Sequence, residues 1–395
     1  MGDRFEAIVG AAHVSRPESV TQCGARVAAV VRPGSAPELA ACLRAASESG
    51  VAVLPVGGGS KLGFGNPLDG SSCIRLETGR LCEVTLDPDE GVGELAAGAK
   101  LEDVARAAAR AGKVTLLDPL HPGATVGGAI AVDPVSPEAS LDQRLRNDLL
   151  GLEVALANGE VTRSGGRVVK NVTGFDLARL YCGSFGTLGV VTRAVVRLRG
   201  APERVAVTRA GFASLDAALE SLARARAAPA SALSFEAGGG VTLSSRFAGS
   251  DVEVAAQLAH AVGESAELET WGRLRVGLAR APRAGTVRVR LGARPSDVAI
   301  LCRGLASAAG VAAPELALPR VGIVFGSAPT DSLARVAELA ERAGAVLALE
   351  RASSNQPLPC DAFGPPPQAL SVMRALKAKF DPTRTLSPGR FVSGI

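Results

Sequence analysis

A chain of 395 residues is too long for one ordinary core, so two or three domains are expected. Hydrophobic residues at 47% with 21% charged describe a folded globular chain and exclude a disordered one. A net charge of only +4, scattered basic residues and 3% aromatics argue against a basic nucleic-acid surface with stacking rings.

The first elements read β-α-β. Arg26 to Val31 forms a short buried strand. Ser35-x-x-Glu38 is a capping box ahead of the helix ELAACLRAASES, with Leu39, Leu43 and Ala46 on one face and Gly50 as its stop. Val51 to Val56 is the next strand, and it runs into VGGGSKLGFGNP. Strands follow near 73–76, 82–86 and 92–97, then a helix LEDVARAAARAG from Leu101. A hairpin over 150–163 turns at Asn158-Gly159, and 189–198 is a half-buried strand. Beyond Gly200 the texture changes to Ala/Arg-rich helices (213–226, 252–263, 295–309, 329–342) between strands such as TVRVRL and VGIVF. That alternation predicts a separate ferredoxin-like α+β lobe, with no internal repeat evident. The end of the chain holds one helix, QALSVMRALKAKF, and the loop DPTRTLSPGRF.

Seven cysteines (23, 42, 73, 82, 182, 302 and 360) include no C-x-x-C pair, so buried free thiols are expected and no metal or iron–sulfur site. The beginning MGDRFEAIVGAAHV carries acids and lacks a long apolar core, and no run of eighteen apolar residues occurs. Neither a signal peptide nor a transmembrane segment is expected. The location read from this is cytoplasmic, with any membrane association made through partners.

Gly57, Gly58, Gly59, Gly63 and Gly65 crowd one loop after a strand. Their spacing is not G-x-G-x-x-G, and Ser60-Lys61 stands in the wrong order for G-x-x-x-x-G-K-[ST]. Two readings remain from the residues alone. One is a nest of main-chain N–H groups around a pyrophosphate, with Lys61 adding charge and Ser60 a hydroxyl. The other is a tight strand–loop turn.

Two further glycine-rich stretches, HPGATVGGAIAVD (121–133) and LYCGSFGTLGVVT (180–192), flank apolar strands. The three loops together resemble the FAD-binding domain of the vanillyl-alcohol-oxidase/p-cresol-methylhydroxylase (PCMH-type) superfamily over residues 25–200. The likeness resumes at LKAKFDPTRTLSPGRF, similar to that superfamily's C-terminal signature. Within it, GGRVVKNVTGFDLARLYCGSFGTLG is similar to the GlcE family of glycolate oxidase FAD-binding subunits.

The resemblance implies an α+β architecture. Residues 1–24 would be an extension, 25–200 a two-subdomain FAD-binding domain, 201–355 the cap lobe and 356–395 a segment returning to the FAD domain. It further implies that Gly57, Gly58, Gly59, Ser60 and Lys61 bind pyrophosphate, chiefly through main-chain N–H. Thr125, Val126, Gly127 and Gly128 would approach pyrophosphate and flavin. Gly189 and Val190 would meet the adenine or ring side, and Pro388, Gly389 and Arg390 would return to the flavin lobe. There is a departure from the family pattern at 132–143. Ser136 stands where a glycine is usual, which would narrow the site, while Arg146 and Asn147 align with the usual Arg-Asp pair.

Loop 57–65 contains no His or Cys for covalent attachment, so FAD is expected to be noncovalent. A hydroxyacid dehydrogenase needs a base beside the flavin. The cap's His260 sits on an apolar-patterned helix and reads as structural. His121 directly precedes the GATVGG loop, where either a proton-transfer role or packing under the loop is open. Lys170 and Asn171 have two readings: charge and a donor beside flavin or substrate, or a carboxylate pair and a helix cap. The functional expectation is a GlcE-like FAD subunit of a 2-hydroxyacid (glycolate-type) oxidoreductase, working with a second flavoprotein and an iron–sulfur subunit. A self-sufficient FAD oxidoreductase and a degenerate structural subunit are the alternatives.

Overall fold

The computed structural model describes residues 2–118, 120–138, 144–167, 176–225, 230–236 and 239–395. A parallel sheet comes first. β1 (Ala25–Val31), β2 (Ala52–Val56) and β3 (Ser72–Glu77) lie in the order β1-β3-β2, with short antiparallel pieces at Val14–Ser15 and Thr21–Gln22 beside β1. Helix α1 (Ala36–Glu48) makes the crossover between β1 and β2 and buries Leu39, Leu43 and Ala46 against Val31, Val53 and Ile74. Its cap differs in one respect from the expected box. Ser35 Oγ accepts from Glu38 N at 3.2 Å, but the Glu38 carboxylate accepts from Gly34 N at 2.7 Å, one residue early.

The second sheet is antiparallel. It is built from β4 (Val84–Asp87), β5 (Val92–Ala96), β6 (Leu149–Ala155), β7 (Val161–Gly165) and β8 (Val190–Arg197), in the order β7-β6-β8-β5-β4. Two helices, α2 (Leu101–Arg110) and α3 (Val126–Val132), share one core with it, joining Leu101, Val104, Val126 and Ile130 to Leu95, Leu152, Val154 and Val196. The predicted hairpin is present, with Gly159 at φ 80° in its turn.

The cap departs from the sequence expectation by being a repeat. Its first unit is β9 (Arg204–Phe212), α4 (Leu215–Arg224), β10 (Ala230–Phe235), β11 (Val241–Gly249), α5 (Asp251–Leu258) and β12 (Glu264–Ala266). Helix α6 (Leu268–Ala279) links this to a second βαββαβ unit. That unit runs β13 (Thr286–Gly292), α7 (Val298–Ala309), β14 (Leu316–Leu318), β15 (Ile323–Pro329), α8 (Leu333–Ala343) and β16 (Val346–Arg351). The strands lie in the order β12-β9-β11-β10-β14-β15-β13-β16, so each unit has the ferredoxin-like 4-1-3-2 order. The two meet through their second strands, with Leu233 opposite Ala317. Strand alternation decides which face does what: Val287, Val289 and Leu291 pack under α7 and α8, and Arg288 and Arg290 occupy the opposite face.

After the cap, α9 (Leu370–Phe380) returns the chain to the first lobe. Leu386 extends the parallel sheet beside β2, with Val53 N donating to Thr385 O at 2.7 Å and Ser387 N to Val53 O at 2.9 Å. The turn between helix and strand rests on a buried ion pair. Lys377 Nζ donates to Asp381 Oδ2 (2.7 Å), Thr187 O and Leu386 O (both 2.8 Å). The Asp381 carboxylate accepts from Thr385 N and Leu386 N. This accounts physically for the K-x-x-x-D-P run. Tyr181 packs edge-on to Phe380 at 5.8 Å. Of the cysteines, Cys23, Cys42, Cys73, Cys182 and Cys302 are buried, whereas Cys82 is exposed and Cys360 half-buried, contrary to the expectation of uniform burial.

Candidate functional site

The glycine loop leaves β2 and lies against the loop preceding α3. A Cβ on Gly57 would sit 2.0 Å from Thr125 Oγ1, and one on Gly58 would sit 1.7 Å from the Gly123 carbonyl oxygen. Absence of side chains is thus set by the Thr125 side chain at Gly57 and by the Gly123 backbone at Gly58. Only Gly59 of the three has positive φ, at 73°.

The main-chain N–H groups of Gly57, Gly58, Gly59, Ser60 and Lys61 donate no hydrogen bond to any protein group among the described residues. Five consecutive N–H groups without a protein acceptor, on a loop that lines a crevice, are available to an anion. Facing them, Thr125 caps α3, its Oγ1 accepting from Gly128 N at 3.4 Å. Gly127 is required for packing, since a Cβ there would lie 2.9 Å from Ala97 Cβ. The crevice between the loops has a volume of about 110 Å³ and is lined by Gly57 to Leu62, Thr125, Gly128, Phe185 and Arg390. By itself that is below the ~300–1,000 Å³ of a small-molecule pocket. It shares its Asp118, Leu120, Ala129 and Pro134 walls with an interlobe cavity of about 700 Å³. The donor set fits a diphosphate, and room for the remainder of a dinucleotide continues along α3.

Arg390 reaches the site through its side chain. The guanidinium donates to Leu62 O (3.2 Å), Phe64 O (2.6 Å) and Asn66 O (2.5 Å), holding the end of the glycine loop. Phe64, Phe185, Phe363 and Phe391 pack ring against ring, with centroids 4.9–6.1 Å apart. They bring the first and third glycine-rich stretches and the chain's end to one place. Lys61 spends its charge elsewhere than on the crevice, since its Nζ pairs with Glu350 of the cap at 2.9 Å. Burial holds that ammonium below its ordinary range, with Glu350 opposing the shift. Gly189 and Val190 line none of the crevice. A Cβ on Gly189 would meet Val154 Cγ1 at 2.4 Å, and Val190 is buried in the parallel-sheet core. Ser136 donates to Glu138 at 2.5 Å and lines the interlobe cavity, not the crevice between the glycine loops. Arg146 pairs with Asp133 at 2.6 Å. Lys170 and Asn171 lie outside the described residues. His260 is exposed on the surface beyond the end of α5.

His121 is buried where the flavin lobe meets the cap. Its Nδ1 lies 3.2 Å from Ala279 O at the end of α6; a carbonyl only accepts, so Nδ1 carries the proton and Nε2 keeps its lone pair. Burial, reinforced by the Lys61 charge, pushes the imidazole down from 6.5 to about 4, so it is neutral near pH 7. A cavity of about 40 Å³ beside it is walled by Lys61, Phe64, Arg288, Arg290 and Glu350. Arg288 donates to Leu278 O (2.8 Å) and Gly277 O (3.3 Å) and faces Glu350 at 3.4 Å. Arg290 lies over the Phe64 ring at 5.3 Å, and its side chain has no carboxylate within ion-pair distance and no hydrogen bond among the described residues, with Asp133 and Glu350 acting on it only from farther away. These arginines and Glu350 are additions to the sequence reading. The alternation in TVRVRL held the signal, because it puts both arginines on the face opposite three buried apolar residues.

Comparison with known proteins agrees with this geometry. Residues 27–165 match the family described as FAD binding domain. This chain carries a FAD-binding domain. It is 38% identical over 172 residues to the D-lactate dehydrogenase of Archaeoglobus fulgidus, covering 43% of this chain and 38% of that protein. With the glycolate oxidase subunit GlcD of Bacillus subtilis it is 32% identical over 197 residues (49% of this chain, 42% of the relative). With subunit GlcE of Escherichia coli it is 32% identical over 170 residues (42% and 47%). The match therefore spans less than half the length of each of these relatives. The fold reaches further: an alkyldihydroxyacetonephosphate synthase structure superposes with a TM-score of 0.75 at 14% identity, covering 98% of this chain and 85% of that one. The expected cofactor, FAD, and the expected α+β, PCMH-type fold are supported together. Among the described residues no helix is long and apolar enough to cross a membrane.

Noncovalent attachment makes a direct prediction. Gly57 to Lys61 offer amides and no His or Cys, and His121 Nε2 belongs to the cap-facing cavity. Acid precipitation of the holoprotein should release all flavin to the supernatant; flavin retained in the pellet would contradict it.

Proposed function

We propose that the chain is a GlcE-like FAD subunit that takes part in oxidising a small 2-hydroxyacid and passes the electrons to an iron–sulfur partner. The observation that carries the chemistry is the pocket next to the glycine loops, where a neutral His121 stands between Arg288, Arg290 and the Lys61–Glu350 pair. Arg290, which lacks an anionic partner, suits a substrate carboxylate. The Nε2 of His121 would accept the hydroxyl proton as the C–H bond breaks and the carbonyl forms. FAD, when bound, supplies the hydride acceptor. Gly57 to Lys61 would hold its diphosphate, and Thr125 to Gly128 would close the opposite side. The similarity to GlcD and GlcE, named as glycolate oxidase subunits, supports the assignment to a complex. Because base and arginines are contributed by one chain, a self-sufficient oxidoreductase is a second reading.

Anaerobic mixing of the FAD-loaded chain with glycolate or D-lactate tests the proposal. The visible flavin absorbance should bleach in a single turnover, while dye-linked steady-state turnover stays slow until the partner subunits are added. Fast steady-state turnover by the pure chain would favour the second reading, and no bleaching with any 2-hydroxyacid would refute both. His121→Gln should slow bleaching by about 10²–10⁴-fold. The wild-type rate should hold level as pH falls from neutrality and drop near pH 4, where the imidazole takes up its proton. The same shift has a stability sign. A depressed pKa means the neutral histidine's contribution is complete above its ordinary 6.5 and is lost as pH falls through about 4.

A further inference from the structure

We propose that Arg351, the last residue of the cap sheet, is a positioning residue for the cofactor: with Arg390 it forms a two-guanidinium clamp whose missing counter-charge is the FAD diphosphate. The proposal rests on the reading of Gly57 to Lys61 as the diphosphate cradle.

The clamp is defined by its acceptors. Arg351 donates from Nε to Gly63 O (3.2 Å) and from Nη2 to Gly65 O (3.0 Å), and its own N–H also reaches Gly63 O at 2.9 Å. Arg390 takes the alternate carbonyls, Leu62, Phe64 and Asn66. Five consecutive carbonyls, 62 to 66, are thereby drawn to two side chains, and the five N–H groups immediately before them are left without a protein acceptor. The peptide chain is thus polarised: carbonyls are held by the cationic clamp while the preceding amides stay free for an anion.

Charge points the same way. Arg351 is 2% exposed and Arg390 5%, and neither has a carboxylate within ion-pair distance among the described residues. Burial, together with Arg390, brings Arg351 down to about 10, and burial likewise lowers Arg390. Two buried cations without a partner are costly in the protein alone. A dianionic group seated on the adjoining loop would offset that cost.

Position supplies the consequence. Arg351 ends β16, and Glu350 beside it bridges Phe64 in antiparallel register, so the glycine loop continues the cap sheet at that edge. Cofactor binding and docking of the cap on the flavin lobe are coupled through this residue. Removing its guanidinium takes the hydrogen bonds to Gly63, Gly65 and Gln356 from both forms, and takes a charge complement from the FAD-bound form in addition.

The test measures FAD and FMN affinity, and melting with and without FAD, for the full chain and for Arg351→Gln. The expected result is a Kd for FAD raised about 10–100-fold, the scale of one opposite charge lost near the diphosphate. FMN, with a single phosphate, should lose much less, and the melting point should fall more with FAD present than without it. Arg351→Lys keeps the charge but not the planar fork, so it should fall between the two and covers the case in which Arg351→Gln fails to fold. An equal loss of FAD and FMN affinity, or the same fall in melting point with and without FAD, would make Arg351 merely structural and overturn the proposal. A wild-type chain that binds FAD no better than FMN would instead sink the cradle reading on which it rests.

Discussion

Gly58→Val should abolish FAD binding, raising the Kd by more than about a hundredfold. A Cβ at this position would lie 1.7 Å from the Gly123 carbonyl oxygen, closer than any real contact, so the two loops must separate. Gly57 to Lys61 then lose their register against Thr125 and Gly128, and the amides no longer converge on one anion. The backbone at Gly58 is not left-handed, so the penalty comes from the neighbouring chain and not from φ. Stability of the free protein should also fall, by roughly 1–3 kcal/mol for a small-to-large change in a packed place. Lys61→Ala should weaken FAD binding far less, since its ammonium is engaged with Glu350. Equilibrium titration with FAD on the three proteins gives the comparison, and a Gly58→Val chain with wild-type affinity would refute the assignment of this loop.

Lys377→Met should cost about 3–5 kcal/mol of stability, because removing one member of a buried pair strands the other. Asp381 is 0% exposed, and its carboxylate also receives Thr385 N and Leu386 N. Lys377 in turn ties Thr187 of the third glycine-rich stretch to Leu386 of the returning strand. The loss therefore detaches the C-terminal segment from β2 as well as weakening α9. Chemical denaturation of the free chain measures it. The double variant Lys377→Met/Asp381→Leu should recover part of the loss, since no uncompensated charge then remains. A single-variant cost below about 1 kcal/mol would show that the return of the chain does not depend on this pair.

The legibility of this protein in its sequence follows the range of the forces involved. Local signals were sufficient for the β-α-β start, where Ser35, the Leu39–Leu43 stripe and Gly50 act within a few residues of one another. The Asn158-Gly159 hairpin was readable for the same reason. Glycine-rich stretches marked the FAD lobe, but not why each glycine is needed: Gly57 yields to the Thr125 side chain, Gly58 to the Gly123 carbonyl and Gly189 to Val154. The cap's repeat was hidden because β12 and β14 are only three residues each and α6 interrupts the two units. The roles of Lys61, Arg288, Arg290 and Arg351 depend on contacts across more than about 220 residues or on the helix end formed by α6, and no local pattern specifies those. His121 was legible as a candidate from its place before GATVGG; its neutral state depends on burial that only the assembled fold creates.

If the amides of Gly57 to Lys61 hold a diphosphate, the choice among flavins reveals it. The free chain should be titrated with FAD, and the same titration repeated with FMN and riboflavin. FAD should bind at least about a hundredfold more tightly than either, because only FAD presents a diphosphate to the five amides. FMN or riboflavin binding as tightly as FAD would contradict it.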